Sequence, residues 1–209
     1  MSTLVVGDVH GCADELRTLL DAVDADRVVL VGDLFTKGPD PVGVWRLIRD
    51  RGLEAVRGNH DQRLLDAIDR GRRGGAVRAV IAKLDAADPD WRAWTAALPL
   101  FADAGPFTVV HAALHPSGDR DATPPKVALS LRRWPHDRPD DPRWWRVYTG
   151  GPVVFGHDAR QGLVQRKRNG RRWVIGIDTG CVYGGHLTGW VQDEDRLIQI
   201  PARRAYLPV

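Results

Sequence analysis

The chain has 209 residues, of which 43% are hydrophobic, 27% charged and 7% aromatic. That length suits a single domain with a sizeable core, and the composition excludes a disordered chain. Thirty Lys and Arg stand against 27 Asp and Glu, interspersed, for a net charge of +3, which does not mark a nucleic-acid binder. Cys12 and Cys181 are too few for a disulfide framework and read as reduced thiols. The start has no basic leader, its apolar run is only Leu4 to Val6, and no stretch reaches the roughly 18 apolar residues of a membrane span. The expectation is a soluble, cytoplasmic protein.

Thr3–Val6 is short, apolar and β-branched, and predicts a buried strand ending at Gly7. Leu16, Leu19, Leu20 and Val23 predict an amphipathic helix over Ala13–Ala25. A strand over Arg27–Val31 follows, then a helix from Pro41 to about Asp50, then a strand over Leu53–Val56. Asp61 reads as the N-cap of a helix through Leu64, Leu65 and Ile68. This alternation argues for parallel strands with crossover helices. Arg72–Leu98 reads as two helices broken at Pro89, and Phe107–Val110 as a strand. The Pro-, Asp-, Arg- and Trp-rich segment from Arg120 to Arg146 reads as a cap-like insertion, helical only around Lys126–Arg133. Strands are then expected over Pro152–Phe155, Leu163–Gln165, Trp173–Ile177, Leu187–Val191 and Leu197–Pro201, joined as antiparallel hairpins. A C-terminal β-meander on an α/β body suggests a two-sheet sandwich with helices outside.

Polar clusters recur where these strands end. They are Gly7-Asp8-Val9-His10-Gly11, Gly32-Asp33, Arg57-Gly58-Asn59-His60-Asp61, His111, and Gly156-His157-Asp158. Strand carboxyl ends are where open α/β sheets bind ligands. Two carboxylates, an amide and three imidazoles make a mixed O/N donor set, suited to a borderline divalent metal and too rich in nitrogen for calcium. Asp8 and His10, two apart on extended chain, point to one side. Asp33 has two oxygens and can bridge two ions. Any one cluster alone reads as an ordinary turn or surface pair; the ordered set does not.

GDVHG, GDLFTKGP, RGNHD, the His111 segment VVHAALHP and FGHD together resemble the phosphoprotein-phosphatase branch of the calcineurin-like metallophosphoesterases. The likeness runs in order from Gly7 to Gly185. Within that branch, GHDARQG and IDTGCVYGGHLTG look most like the bacterial diadenosine tetraphosphatases and diadenosine-tetraphosphatase-like phosphatases. The resemblance implies a central β-sandwich of two mixed sheets flanked by helices, with a small helical or irregular cap. It implies a single domain over residues 1–209 with the insertion near 120–146. It implies two divalent metal ions, manganese foremost, with iron, zinc, cobalt or nickel as alternatives. Asp8, His10 and Asp33 would hold one; Asp33, Asn59, His111 and His157 would hold the other. His60 would protonate or orient the leaving oxygen. Protein phosphatases commonly carry Asp-Arg-Gly where this chain has Thr36-Lys37-Gly38, so the aspartate that pairs with the catalytic histidine is missing and Asp61 is the candidate substitute.

Two metals supply a hydroxide at neutral pH and clamp phosphoryl oxygens. Lys37, Arg57 and Arg133 are the expected phosphate contacts, with Tyr183 a candidate contact for the leaving group. The expected reaction is hydrolysis of nucleoside polyphosphates, diadenosine tetraphosphate to two ADP. The alternatives are a Ser/Thr or Tyr protein phosphatase or a broad phosphomonoesterase. A Trp-rich insert (Trp91, Trp94, Trp134, Trp144, Trp145) would favour a covered nucleotide pocket over an open peptide groove. Eight tryptophans and a basic balance also admit a distant third reading, a non-enzymatic nucleic-acid-binding module, but such a module needs no metal-type residues at strand ends.

Overall fold

β1 (Thr3–Val6) is buried along its whole length and forms the centre of the first sheet. In a computed structural model describing residues 2–71 and 75–208, it pairs in parallel with β2 (Arg27–Leu30) and antiparallel with β9 (His186–Val191). β3 (Glu54–Ala55) extends the sheet beyond β2, and β10 (Arg196–Pro201) beyond β9. The second sheet runs in the order β4 (Phe101–Ala104), β5 (Phe107–Val110), β6 (Val153–Phe155), β8 (Arg171–Gly176), β7 (Val164–Arg168).

Alternation of side chains along each strand separates three cores. Val5, Val29, Val31, Val56 and Trp190 of the first sheet face Val109, Val154 and Ile175 of the second. Leu4, Val6 and Leu30 point the other way, onto the helices. There they meet α1 (Ala13–Asp21), α2 (Pro41–Arg51), α3 (Asn59–Asp69), α4 (Gly75–Ala87) and α5 (Trp91–Ala97). Val110, Val153, Phe155 and Val174 face the 120–148 segment, which contributes Ala128, Leu131, Trp144 and Tyr148. A strand buried on both faces shows as a continuous apolar run, which is why β1 and β2 read so plainly. α2 carries its own punctuation: Asp40 caps Gly43 N at 2.7 Å, Pro41 opens it, and Gly52 ends it at φ 61°.

The structure departs from the sequence-based expectation in several places. α1 stops at Asp21 rather than Ala25. β4 is present although its Phe-Ala-Asp-Ala run shows no β-branched signal; it survives by pairing with β5. α6 spans only Pro125–Ser130, and α7 (Trp144–Val147) has no counterpart in the sequence reading. The expected start of a helix at Arg72 lies outside the described residues. The C-terminal strands are not one meander: β6 and β8 pair in parallel in the second sheet, while β9 and β10 complete the first. Only β7–β8 and β9–β10 are hairpins among them. Among the described residues no helix is long and apolar enough to cross a membrane.

Candidate active site

The loops after β1, β2, β3, β5 and β6 bring Asp8, His10, Asp33, Asn59, His60, His111 and His157 to one edge of the sandwich. Asp8, His10, Asp33 and His111 are buried, and the other three are half-buried. Asp33 sits between two sets of donors. Its Oδ2 lies 3.4 Å from His10 Nε2 and its Oδ1 lies 3.4 Å from His111 Nε2. Asn59 Oδ1 lies 3.0 Å from both His111 Nε2 and His157 Nδ1. The His157 amide donates to both oxygens of Asp8, at 3.1 and 3.2 Å.

Holding these side chains together strains the backbone. His10, Asp33, Lys37 and His157 all adopt positive φ, at 46°, 55°, 71° and 75°. Such conformations cost about 1–3 kcal/mol each and persist only where the surroundings impose them. Two glycines allow the close approach. A Cβ on Gly58 would sit 2.3 Å from Asp33 Oδ1, and one on Gly156 would sit 2.0 Å from Asp8 Oδ1.

The electrostatics suit a divalent cation. Burial pushes Asp8 well above the carboxylate range, helped by Asp178 and Asp33. Burial likewise raises Asp33 to about 7 and Asp178 to about 6. Burial lowers His60 to about 3, His111 to about 4 and His157 to about 2, and takes His10 well down as well. Clustered carboxyls that resist ionising beside imidazoles that resist protonation form a set that a divalent cation satisfies at once. A stand-in is present: the Lys37 ammonium donates to His10 Nε2 at 2.9 Å. The donors fit a borderline divalent metal.

Thr36 links that contact to His60. His10 Nε2 accepts, so its Nδ1 carries the hydrogen and faces the Thr36 hydroxyl at 3.4 Å. The Thr36 hydroxyl is then free to donate to His60 Nδ1 at 2.9 Å. Such a donation would put the hydrogen of neutral His60, which lines the cavity, on Nε2.

The cavity above these groups measures about 720 Å³. Lys37, Tyr183, Arg132, Arg160 and Asp178 line it with the histidines. Lys37 Nζ lies 5.4 Å from the centre of the Tyr183 ring. Asp158 is buried and gathers arginines: Arg143 at 2.5 Å, Arg160 at 3.2 Å and Arg132 at 3.8 Å.

Three sequence-based assignments are corrected. Asp61 is not the N-cap of α3 and does not pair with the His60 ring. Gly58 is the cap, and the Asp61 carboxylate accepts from the amides of Asp33 (2.8 Å), Leu34 (2.9 Å) and Gly58 (2.9 Å). Arg57 turns away from the cavity, donating to the carbonyls of Ala96 (2.6 Å) and Leu98 (2.9 Å) and to Gln62 Oε1 (3.0 Å). Arg133 donates to the Asp141 carbonyl at 2.6 Å, and its neighbour Arg132 takes the place at the cavity. None of the tryptophans at 91, 94, 134, 144 and 145 borders the cavity; Trp91 and Trp144 are packed in the cores. Sequence reasoning misses Thr36, Arg132, Arg160 and Asp178. Thr36 and Asp178 stand inside the GDLFTKGP and IDTGCVYGG motifs, so position alone could find them. Choosing Arg132 over Arg133 requires the loop's conformation.

The family model for calcineurin-like phosphoesterases matches residues 1–186. A symmetrical bis(5'-nucleosyl)-tetraphosphatase of Vibrio campbellii is 27% identical, covering 95% of this chain and 97% of the relative. The Ralstonia nicotianae protein of that name is 28% identical, covering 98% and 92%. Both alignments run over 270 positions, so these relatives carry segments that this 209-residue chain lacks. A solved structure provisionally assigned as a diadenosine tetraphosphatase superposes with a TM-score of 0.82 at 31% identity, covering 96% of this chain and 93% of that one. A metallophosphoesterase from Sphaerobacter thermophilus shares the fold, with a TM-score of 0.62 at 17% identity over 98% and 89%. The chain therefore belongs to the calcineurin-like phosphoesterase family and is a metal-dependent hydrolase, built as two mixed sheets flanked by helices.

Proposed function

We propose that this protein hydrolyses nucleoside polyphosphates, diadenosine tetraphosphate to two ADP foremost. The observation that carries the reading is Asp33 standing between two sets of imidazole donors at the floor of a cavity walled by Lys37, Arg132 and Arg160. Asp8, His10 and Asp33 would hold one divalent ion, and Asp33, Asn59, His111 and His157 the other. Manganese is the proposed metal. When bound, such ions supply Lewis-acid polarisation of the phosphoryl oxygens and activation of water.

The remaining work falls to side chains of this chain. Lys37 moves its ammonium from His10 to the phosphoryl group, and Arg132 and Arg160 neutralise phosphate charge farther along a polyphosphate. His60 donates its Nε2 hydrogen to the leaving oxygen. One of its ring nitrogens lies within 4.8 Å of donor atoms of His10 and Asp33. We nevertheless assign it as a donor and not a metal ligand, because Thr36 holds its Nδ1 and leaves Nε2 protonated. Tyr183 borders the same cavity and would pack against a leaving nucleotide. The 120–146 segment serves as the cap of a single catalytic domain: it supplies Arg132 and, through Ser130 O, a contact to His157 Nε2 at 3.0 Å. The two free cysteines suit a reducing compartment, and we place the protein in the cytoplasm.

A second reading, a phosphomonoesterase or protein phosphatase, draws on the absence of any tryptophan among the described residues that line the cavity. A cavity without a tryptophan in its lining accepts a phosphopeptide or an aryl phosphate as readily as a dinucleotide. One manganese-supplemented panel separates the two: diadenosine tetraphosphate, ATP, phosphopeptides and an aryl phosphate, with products resolved. ADP as the sole dinucleotide product, at a kcat/KM above the others, supports the first reading. AMP plus ATP, or faster turnover of the phosphopeptide, overturns it.

A further inference from the structure

Cys12, Glu15 and Cys181 meet inside the protein, beneath the catalytic cavity's loops but outside its lining. Cys12 immediately precedes α1, Glu15 lies in its first turn, and Cys181 opens the short 3-10 turn Cys181–Tyr183. None is more than 2% exposed. A sulfur from each cysteine and a carboxylate oxygen of Glu15 lie within 4.8 Å of one another.

The carboxylate is the telling member. Glu15 Oε1 accepts from the Arg203 amide at 2.9 Å and from the Tyr206 hydroxyl at 2.7 Å. Glu15 Oε2 is buried with no hydrogen-bond partner. The guanidinium of Arg203, whose amide binds Glu15, is used elsewhere: it binds Asp14 at 2.5 Å. A buried carboxylate with one oxygen unsatisfied and no cation beside it is costly. Simple packing of two thiols does not relieve that cost. Neither does a disulfide, which leaves Glu15 as it is.

We propose that Cys12, Glu15 and Cys181 form a structural site for one thiophilic divalent cation of the zinc class, separate from the catalytic cavity. Two thiolates and a carboxylate suit zinc or cobalt(II), and they discriminate against manganese and magnesium, which prefer oxygen. Loading exchanges the two thiol protons for the ion, and the protons go to solvent. The His10 carbonyl, 3.9 Å from Cys12 Sγ, is a further oxygen donor at hand. A bound ion here would tie three segments together: the start of α1, the Cys181–Tyr183 turn, and the C-terminal stretch that Glu15 already holds through Arg203 and Tyr206.

The test is spectroscopic and does not depend on turnover. The full chain, reduced and stripped with a chelator, is titrated with cobalt(II). Sulfur ligation produces an intense near-ultraviolet charge-transfer band, whereas the oxygen and nitrogen donors of the cavity contribute only weak visible bands. We expect a near-ultraviolet band that saturates at one cobalt per chain and is displaced by zinc. Cys181→Ser should abolish it, and Glu15→Gln should weaken cobalt binding at that site by at least about tenfold. The visible bands of the cavity report whether Cys181→Ser still folds; if it does not, Glu15→Gln and zinc displacement in the unaltered chain decide the matter. No near-ultraviolet band at saturating cobalt overturns the proposal. So does a band that persists in folded Cys181→Ser, or one that zinc cannot displace.

Discussion

The hydroxyl of Thr36 lies 2.9 Å from Nδ1 of His60. Protein phosphatases commonly carry an aspartate in the corresponding Asp-Arg-Gly motif, where this chain has a hydroxyl. The difference is electrostatic. A carboxylate would raise the imidazole's pKa, while a hydroxyl leaves it depressed to about 3 by burial and by Lys37. Thr36→Val should therefore reduce kcat by about tenfold for substrates whose leaving oxygen needs a proton, with little change for an aryl phosphate. Thr36→Asp should move the kcat pH profile upward. Equal losses for both substrate types in Thr36→Val would sink the orienting role.

His60→Ala should lose about 10²–10⁴ in kcat while keeping its divalent ions, because its Nε2 hydrogen is assigned to the leaving group and not to a metal. Metal content by elemental analysis, measured beside turnover, decides the assignment. Loss of a full equivalent of metal would instead make His60 a ligand, as its reach to His10 and Asp33 permits.

Asp33 is raised to about 7 by burial, so below that pH the carboxyl holds a proton that an incoming cation must displace. The sign follows: apparent cation affinity climbs as pH rises toward about 7. The slope should be at least about tenfold per unit, since Asp8 is raised as well. Calorimetric titration of the chelator-stripped protein with manganese between pH 5.5 and 8 would measure it. Asp33→Asn should weaken both ions; two ions at full occupancy in that variant would exclude the bridging role.

Gly156→Ala should be damaging although it adds only a methyl group. The new Cβ would lie 2.0 Å from Asp8 Oδ1, and the atom it meets belongs to a side chain held by the His157 amide. The expected cost is about 1–3 kcal/mol in stability, or displacement of Asp8 with turnover reduced more than about tenfold. Melting temperature and kcat unchanged together would contradict the packing described.

Arg57 and Arg132 should separate cleanly. Arg57→Ala removes donors to the Ala96 and Leu98 carbonyls, so it should destabilise by about 1–3 kcal/mol with kcat/KM within a few-fold of the unaltered enzyme. Arg132→Ala should leave the melting temperature nearly unchanged and lower kcat/KM by about 10²-fold. Arg132→Lys should recover only part of that, since an ammonium lacks the guanidinium fork. The reverse pattern would restore the sequence-based assignment of Arg57.

Much of the molecule is legible in the sequence. β1, β2 and α2 announce themselves through apolar runs and capping residues whose periods are local properties of the chain. Asp8, His10, Asp33, Asn59, His60, His111 and His157 stand out by motif and by strand-end position. β4 is not legible, because its strand character comes from its partner β5 and not from its own residues. The sheet to which β9 and β10 belong is also hidden, since a hairpin pairs locally whichever sheet receives it.

By itself the sequence determined the chemistry available: which donors exist, at which strand ends, and in what order. Tertiary structure decided which of two candidates stands at the site: Arg132 and not Arg133 borders the cavity, and Thr36 and not Asp61 meets the His60 ring. It also decided where the charges gather, which a net charge of +3 does not say. Arginines are gathered at Asp158, while Asp61 is buried against three backbone amides, and charge acts through distance and burial, neither of which a linear chain specifies.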